Sequence, residues 1–485
     1  MLAFAKRVTG WAGRLRRFPR EAYYTLTGWR FDDLKRYVAA NEVANEDASL
    51  ASLLMAPTLQ RRSGRSARIA IVSTMPPDET GIAGFMLRHG MALKRDTDIF
   101  TRVRDTSQFL RTAMEVRLAS NGSAMVHPLS ALEAMDVLNR YQRIVFVLGN
   151  SHHNTHVLRS MLSIAKGDYL DRCVCYLHDP VCHHVMQLAR RIDGTTYVHV
   201  LNDLYGESLP ASTPENWEAG EAAVRHGILG VRGIVDAGVR HIIVNSLAAA
   251  NLVSMDLSEE QRADTLVTTL FHPVFPREIG IDELHHGAGR QGGTMVVGTF
   301  GEAAESKLTN VIVDAVGELR RRGQDIRLVV AGYRATDYIR SRYGRDADDW
   351  LCASEPNSER NLQLAMARCR VAIQLRARNL GESSGVVPTL IGLGIPTIVS
   401  PVGAFLGYGD AVARFAGSSA SELGDLILKV SSTDMSDAMS AYASRHSLEA
   451  FERAFADAIQ QPRGLPPLLV HPHSDSLVDA AGELA

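Results

Sequence analysis

A lone carboxylate, Glu382, stands between Gly381 and Ser383 in "NLGESSGVVPTLIGLGIPTIVS", residues 379–400, a polar turn that leads into an apolar segment. The turn needs its glycines, and Ser383 or Ser384 can cap the helix that follows. Backbone N–H groups around Gly385 are then left to face an anion, aided by the helix dipole. Two cations close neighbouring strand-like runs: Lys307 follows "TMVVGTFG" and Arg376 ends "VAIQLR". An ammonium adds point charge and a guanidinium grips two oxygens at once, so the set suits a diphosphate. Neither the turn nor the helix start needs a glutamate beside a place built to hold anions, so Glu382 asks for a separate explanation.

A second group of residues follows two strand-like runs nearer the N-terminus. His152, His153, His156, His178, His183 and His184 occur there with Asp179 and Cys182. Imidazole and carboxylate are good zinc or iron ligands, which gives one reading. The other is a cleft lined by neutral, hydrogen-bonding rings. The acidic "DADD" at 346–349 reads as solvated surface.

These residues need elements to hold them. "RIAIVST", "RIVFVLGN", "CVCYLHD" and "HIIVNS" are apolar without alternation, as strands covered on both faces are, and helical stretches separate them. After the glycine-rich "HHGAGRQGG" a second series of the same rhythm runs from "TMVVGTFG" to "PTIVS". The expected fold class is α/β, with two doubly wound Rossmann-like domains facing a central cleft and an extra N-terminal helical segment. The expected organisation is a helical extension and linker at 1–66, a first domain at 67–284, a linker at 285–293 and a second domain at 294–440. A helix at 441–462 is expected to pack back on the first domain, with a tail at 463–485. The polar 202–225 segment is the expected variable region.

Bulk properties exclude some functions. With 485 residues, 46% hydrophobic and 22% charged, the chain has the composition of a multidomain globular protein. A formal net charge of -2 gives no global field for nucleic acid. Five cysteines, without metal-finger spacing, fit a reducing cytoplasm. No stretch has the length and apolarity of a membrane span, and the N-terminus does not read as a secretory signal. Within residues 1–20, Phe4, Val8, Trp11, Leu15 and Phe18 form one helical stripe with basic residues mostly off it. Such a helix suits an anionic membrane surface or the protein's own body.

The order of motifs resembles the GT-B-fold glycosyltransferases of family 4, retaining enzymes that use nucleotide-sugar donors. The resemblance runs from about residue 68 to 460, through "IAIVSTMPPDETGIAGF", "VFVLGNSHHNTH", "CYLHD", "HIIVNS", "LFHPV", "FGEAAESK", "LVVAG" and "QLRARNLGESSGVVPTLIGLGIPTIVSPVGAF". It implies that the Gly81–Gly84 loop lies near the donor phosphates and the acceptor, and that Lys307 neutralises the donor diphosphate. Arg376 would face the same cleft. Glu382 would be the first glutamate of the family's E-x7-E signature, approaching the transferred sugar. His178 would be the histidine near the anomeric centre, with Asp179 beside it. Three departures stand out. The first glutamate is displaced by one place, as Gly381-Glu382 rather than Glu-Gly. Thr389 occupies the place of the second glutamate, which holds the nucleotide ribose, and Glu302 follows Gly301 where a basic residue is frequent.

The resemblance therefore implies transfer of a sugar, with retention, from a nucleotide sugar, UDP- or GDP-linked, to a glycan or lipid-linked acceptor. The setting would be polysaccharide or glycoconjugate biosynthesis. No cofactor, metal or nucleic acid is expected, since protein cations replace a metal in such a site. The expected location is cytoplasmic and peripheral to the inner face of the cytoplasmic membrane through residues 1–20. A non-catalytic GT-B-like binding module and a metal-dependent hydrolase built on the histidines are the alternatives.

Overall fold

The computed structural model describes residues 69–134, 138–165, 167–190, 194–206, 221–287, 293–344 and 349–460. The amphipathic stretch at 1–20, the rest of the 1–66 extension, the 463–485 tail, 346–348 of "DADD" and most of the 202–225 segment lie outside these. The described chain divides into two compact units, one built from residues 69–244, 253–268 and 456–460, the other from 245–252 and 269–455. No described helix is long and apolar enough to cross a membrane.

The first unit carries a seven-stranded parallel sheet in the order β3-β2-β1-β4-β5-β6-β7. Its strands are β1 (Ile69–Val72), β2 (Thr97–Thr101), β3 (Ala124–Pro128), β4 (Arg143–Leu148), β5 (Cys173–Leu177), β6 (His241–Val244) and β7 (Leu266–Thr269). β1, β4, β5 and β6 are the apolar runs that the sequence displays. β2 and β3, "TDIFT" and "AMVHP", are fully buried although each carries a polar side chain into the core. Those side chains satisfy one another. His127 Nε2 lies 3.2 Å from Asp98 Oδ1, and the Tyr141 hydroxyl donates to Asp98 Oδ2 at 2.9 Å. Buried polar groups persist where each has a partner.

The second unit repeats the plan with six strands in the order β10-β9-β8-β11-β12-β13. They are β8 (Met295–Phe300), β9 (Ile326–Ala331), β10 (Leu351–Ser354), β11 (Val371–Gln374), β12 (Thr397–Val399) and β13 (Ala413–Arg414). Helices Thr309–Arg321 and Ala420–Ser432 bury Ile312, Val316, Leu319, Leu423 and Ile427 against Val297, Leu328, Val371 and Ile398. Helix Ile281–Gly287 runs into the 285–293 stretch. Residues 456–460 of helix Leu448–Gln460 count with the first unit, where Arg143 Nε donates to the Ile459 carbonyl at 2.6 Å.

Each sheet has one place where the strand order reverses. In the first it lies between β1 and β4, in the second between β8 and β11. Loops leaving two such neighbours turn to opposite sides, and the crevice opened at their carboxyl ends is where doubly wound sheets bind ligands.

Candidate functional site

At the second reversal, the loop after β8 carries Glu302 and Lys307, and the chain after β11 carries Arg376 and Glu382. Ala377 N–H donates to the Ser306 carbonyl at 2.9 Å and so ties the two loops together. Lys307 ends a single 3₁₀ turn, Glu305–Lys307, and Leu308 after it has φ of 51°, a left-handed conformation that costs a leucine energy. The Gly332 turn after β9 fixes the same loop: a Cβ there would lie 2.1 Å from the Gly301 carbonyl oxygen. Two backbones meet at that point, and only glycine fits.

Lys307 Nζ lies 3.7 Å from Glu302 Oε2. Burial pushes the ammonium down to about 8, the charge of Arg376 adds to the fall, and Glu302 opposes it. Arg376 is held by its own N–H, which donates to Ser400 Oγ at 2.8 Å, and its guanidinium carbon sits 5.6 Å from the Phe405 ring centre. Burial lowers its pKa too, while Glu382, Tyr408 and Glu302 raise it. Two cations and two carboxylates thus share one partly dry place, where fixed charges act more strongly than in water.

The turn from Asn379 to Gly385 is built by side chains. Asn379 Oδ1 accepts from Gly381 N at 2.8 Å and Ala404 N at 3.0 Å, and its Nδ2 donates to the Glu382 carbonyl at 3.0 Å. Glu382 Oε2 accepts from Leu380 N at 2.7 Å. Gly381 has φ of 99°, and a Cβ on it would lie 2.4 Å from Ala249 N, while Ser246 Oγ donates to its carbonyl at 2.7 Å. Ser384 Oγ takes the capping role, accepting from Val387 N at 3.4 Å at the start of helix Val386–Leu393. Ser383 is half-buried and Gly385 exposed. Thr389 is buried and its hydroxyl donates to the Gly385 carbonyl at 2.9 Å, so its proton is held by its own helix and its lone pairs are what it can offer a ribose hydroxyl.

The remaining sequence-predicted residues lie on the first unit. Helix Gly81–Ala92 follows β1, with Thr80 capping it by accepting from Ala83 N at 3.1 Å. A Cβ at Gly81 or Gly84 would meet nothing within 4 Å, and neither has positive φ, so the protein's own packing does not demand glycine at either position. His178, just past β5, meets Phe85 edge-on and lies tilted against Tyr176, at ring-centre distances of 4.9 and 4.6 Å. Asp179 Oδ2 accepts from Asn150 N at 2.8 Å, and burial raises its pKa.

The histidines divide between tasks. His183 bonds the Tyr197 hydroxyl and the Ile228 carbonyl, each at 2.8 Å, and burial lowers its pKa to about 4. His156 is buried against the Ser73 carbonyl and is also lowered to about 4 by burial. Among the described residues no three His, Cys, Asp or Glu side chains converge to hold a metal ion. Sequence reasoning passed over Asn379, although Asn two residues before Gly is a turn signal. It also passed over Ser246 and the Asp78 loop described below.

No protein-family model matches the chain, and no curated protein matches it. Solved structures do. HepE of Anabaena, solved with UDP and glucose, matches with a TM-score of 0.52 at 12% identity over 81% of this chain and 99% of that one. Sucrose-phosphate synthase of Thermosynechococcus elongatus gives 0.53 at 11% over 81% and 98%. The UDP-forming α,α-trehalose-phosphate synthase of Burkholderia xenovorans, solved with glucose-6-phosphate, gives 0.51 at 11% over 81% and 100%. The fold is GT-B. In this GT-B chain Lys307, Arg376, Glu382, Ser383, Ser384, Gly385 and Thr389 sit on the second Rossmann-like unit. Gly81, Gly84, His178 and Asp179 sit on the first.

Proposed function

We propose that the chain is a glycosyltransferase that moves a sugar from a nucleotide sugar to a glycan or lipid-linked acceptor with retention of configuration. The observation that carries this reading is the gathering of Lys307, Arg376 and Glu382 on the loops after β8 and β11, with Val386 of the following helix and Lys307 Nζ both within 4 Å of a Cβ placed on Gly301. When the bond from the anomeric carbon to the diphosphate breaks, its electron pair goes to the leaving oxygen, and negative charge grows there. Two cations and free backbone N–H groups stabilise that charge without reorganising. The positive character left on the sugar ring is met by Glu382, whose carboxylate is held by the Leu380 N–H. His178 and Asp179 belong to the acceptor half, and Gly81 and Gly84 leave room there for a ligand. UDP is the first nucleotide to test, because HepE was solved with UDP and the trehalose-phosphate synthase is UDP-forming.

The test is a thermal shift with millimolar UDP, GDP and ADP, followed by a panel of nucleotide sugars scored for release of the diphosphate. A nucleotide present at a hundred times its Kd stabilises by about 2.7 kcal/mol. The expected result is a clear rise in Tm with one of them, absent in Lys307→Ala. Glu302 partly neutralises Lys307, and this favours a second reading, a GT-B module that binds without catalysis. No shift and no hydrolysis across the panel would decide for it.

A further inference from the structure

The first reversal point, between β1 and β4, holds a charged cluster that the donor-site reading does not use. Asp78, on the loop after β1, is only 2% exposed at its side chain. Its Oδ1 lies 2.8 Å from Arg104 Nε and 3.0 Å from His153 Nδ1, and its Oδ2 lies 3.3 Å from Arg102 Nη2. Arg102 and Arg104 are two residues apart on the loop that leaves β2, with side chains 31% and 44% exposed. The His152 and His153 rings lie 3.9 Å apart, and the pKa of His152 is lowered, first by burial and then by His153, His184, Arg104 and Arg102.

This is more cation than a stabilising ion pair requires. One carboxylate lies at the base and two guanidiniums lie above it, nearer water. Asp78 neutralises one of them and orients both. Each guanidinium carries five N–H donors; Asp78 takes part of them and Arg104 Nη2 also lies 3.4 Å from His153 Nδ1, while Arg102 Nε has no partner among the described residues, so donors remain for something else. The frame is stiff: Thr74 Oγ1 donates to Asn154 Oδ1 at 3.1 Å, and Asn154 Nδ2 donates to Ser151 Oγ at 2.9 Å. Helix Thr155–Ile164 starts there with no side-chain cap, so its positive end adds to the field. Of the two acids next in sequence, Asp105 caps the following helix by accepting from the Gln108 N–H at 2.8 Å, and Glu79 is exposed to water.

We propose that Arg102 and Arg104, anchored by Asp78, bind a phosphate group carried by the acceptor. A single guanidinium satisfies a carboxylate through two parallel bonds. Two guanidiniums with a surplus of charge match the three terminal oxygens and double charge of a phosphate better. Only the word acceptor rests on the glycosyltransferase reading; the phosphate site stands on the first unit's geometry alone. The phosphate can come from a soluble sugar phosphate or from a lipid headgroup at a membrane surface, and the two arms of the test separate them.

The test uses the full chain saturated with UDP, or the Lys307→Ala protein if UDP does not bind, so that the second unit's cations are out of play. Inorganic phosphate and glucose 6-phosphate are titrated by calorimetry, and sedimentation compares phosphatidylcholine vesicles with and without phosphatidic acid. Binding is expected in at least one arm, weakened tenfold or more by Arg102→Ala or Arg104→Ala and lost in the double variant. Arg104→Lys, which keeps charge but not the fork, should lose affinity by an intermediate factor, with near-UV circular dichroism showing the fold intact. UDP affinity should stay within twofold throughout. Phosphate, sugar phosphate and vesicle binding all unchanged in a folded double variant, or absent from the parent, overturns the proposal. Loss of UDP binding alone would sink the donor-site reading and leave this one standing.

Discussion

Lys307 is the residue whose charge the environment has altered most usefully. Its folded-state value of about 8 lies below the ordinary 10.5, first because of burial. Two consequences follow with opposite signs. Between about 8 and 10.5 the unfolded chain holds a proton that the folded one lacks, so stability rises with pH there. A bound diphosphate does the reverse, raising the lysine's value above its free-site one. Nucleotide affinity should therefore be full below pH 8 and fall by about tenfold per unit above it, until the bound-state value is passed. Calorimetric Kd values for UDP between pH 7 and 9.5 check this, and Lys307→Arg, charged throughout, should flatten the profile. A flat profile in the unaltered protein would show that Lys307 does not touch the nucleotide.

Glycines in the same chain divide into those the fold needs and those it does not. Gly381, at φ 99° and with a Cβ position 2.4 Å from Ala249 N, cannot become alanine without strain. Gly81 and Gly84 have open space, and both lie in helix Gly81–Ala92, where alanine is favoured by about 0.5–1 kcal/mol. Gly84→Ala should accordingly hold or raise Tm while the proposed transfer activity falls, since the new methyl group enters the open space where the proposed ligand would lie. Unchanged activity would mean that nothing approaches that helix face.

At the scale of elements, the turn between β11 and helix Val386–Leu393 depends on Asn379 as much as on any residue that would meet a ligand. Its three hydrogen bonds position Gly381, Glu382 and Ala404 together. Removing them leaves buried backbone groups unpaired, at about 1–3 kcal/mol for each group left unsatisfied. Asn379→Ala is expected to lower the second unit's stability by roughly 2–4 kcal/mol in urea melts and to abolish nucleotide binding. Asn379→Asp, which keeps both acceptor bonds, should be milder on stability. Equal losses in the two variants would place the weight on the Nδ2 donor.

The same elements explain how much could be read beforehand. β1, β4, β5, β6, β8, β9, β11 and β12 are apolar runs, and the strands of both sheets' centres were visible for that reason. β2 and β3 were hidden because Asp98 and His127 break the apolar signal, and only the structure shows that Asp98 pairs with His127 and with the Tyr141 hydroxyl. The places of Lys307, Arg376 and Glu382 on the loops after β8 and β11 were legible because those loops follow from the strand positions. Asp78 with Arg102 and Arg104 was not, since the partners come from loops after different strands, and β2 had to be found before its loop could matter.

For the whole molecule, the repeated plan matters more than any single contact. Two sheets of like topology each reverse once, and each reversal gathers charged side chains: Lys307 and Arg376 in the second unit, Arg102 and Arg104 in the first. The proposed two-substrate transfer would need two such places, one for a leaving diphosphate and one for the group that receives the sugar, and separate cores would allow each to be tuned alone. Ligands should then protect the two halves independently. With saturating UDP, hydrogen exchange is expected to slow in peptides covering residues 301–308 and 379–387, through ordering of the loops at the second reversal, and to stay unchanged in those covering 74–80 and 102–105. A phosphate-bearing probe should give the converse pattern. Mass spectrometry of the exchanged peptides reads both in one experiment. Protection by UDP confined to the 74–80 and 102–105 peptides would reverse the assignment of donor and acceptor halves.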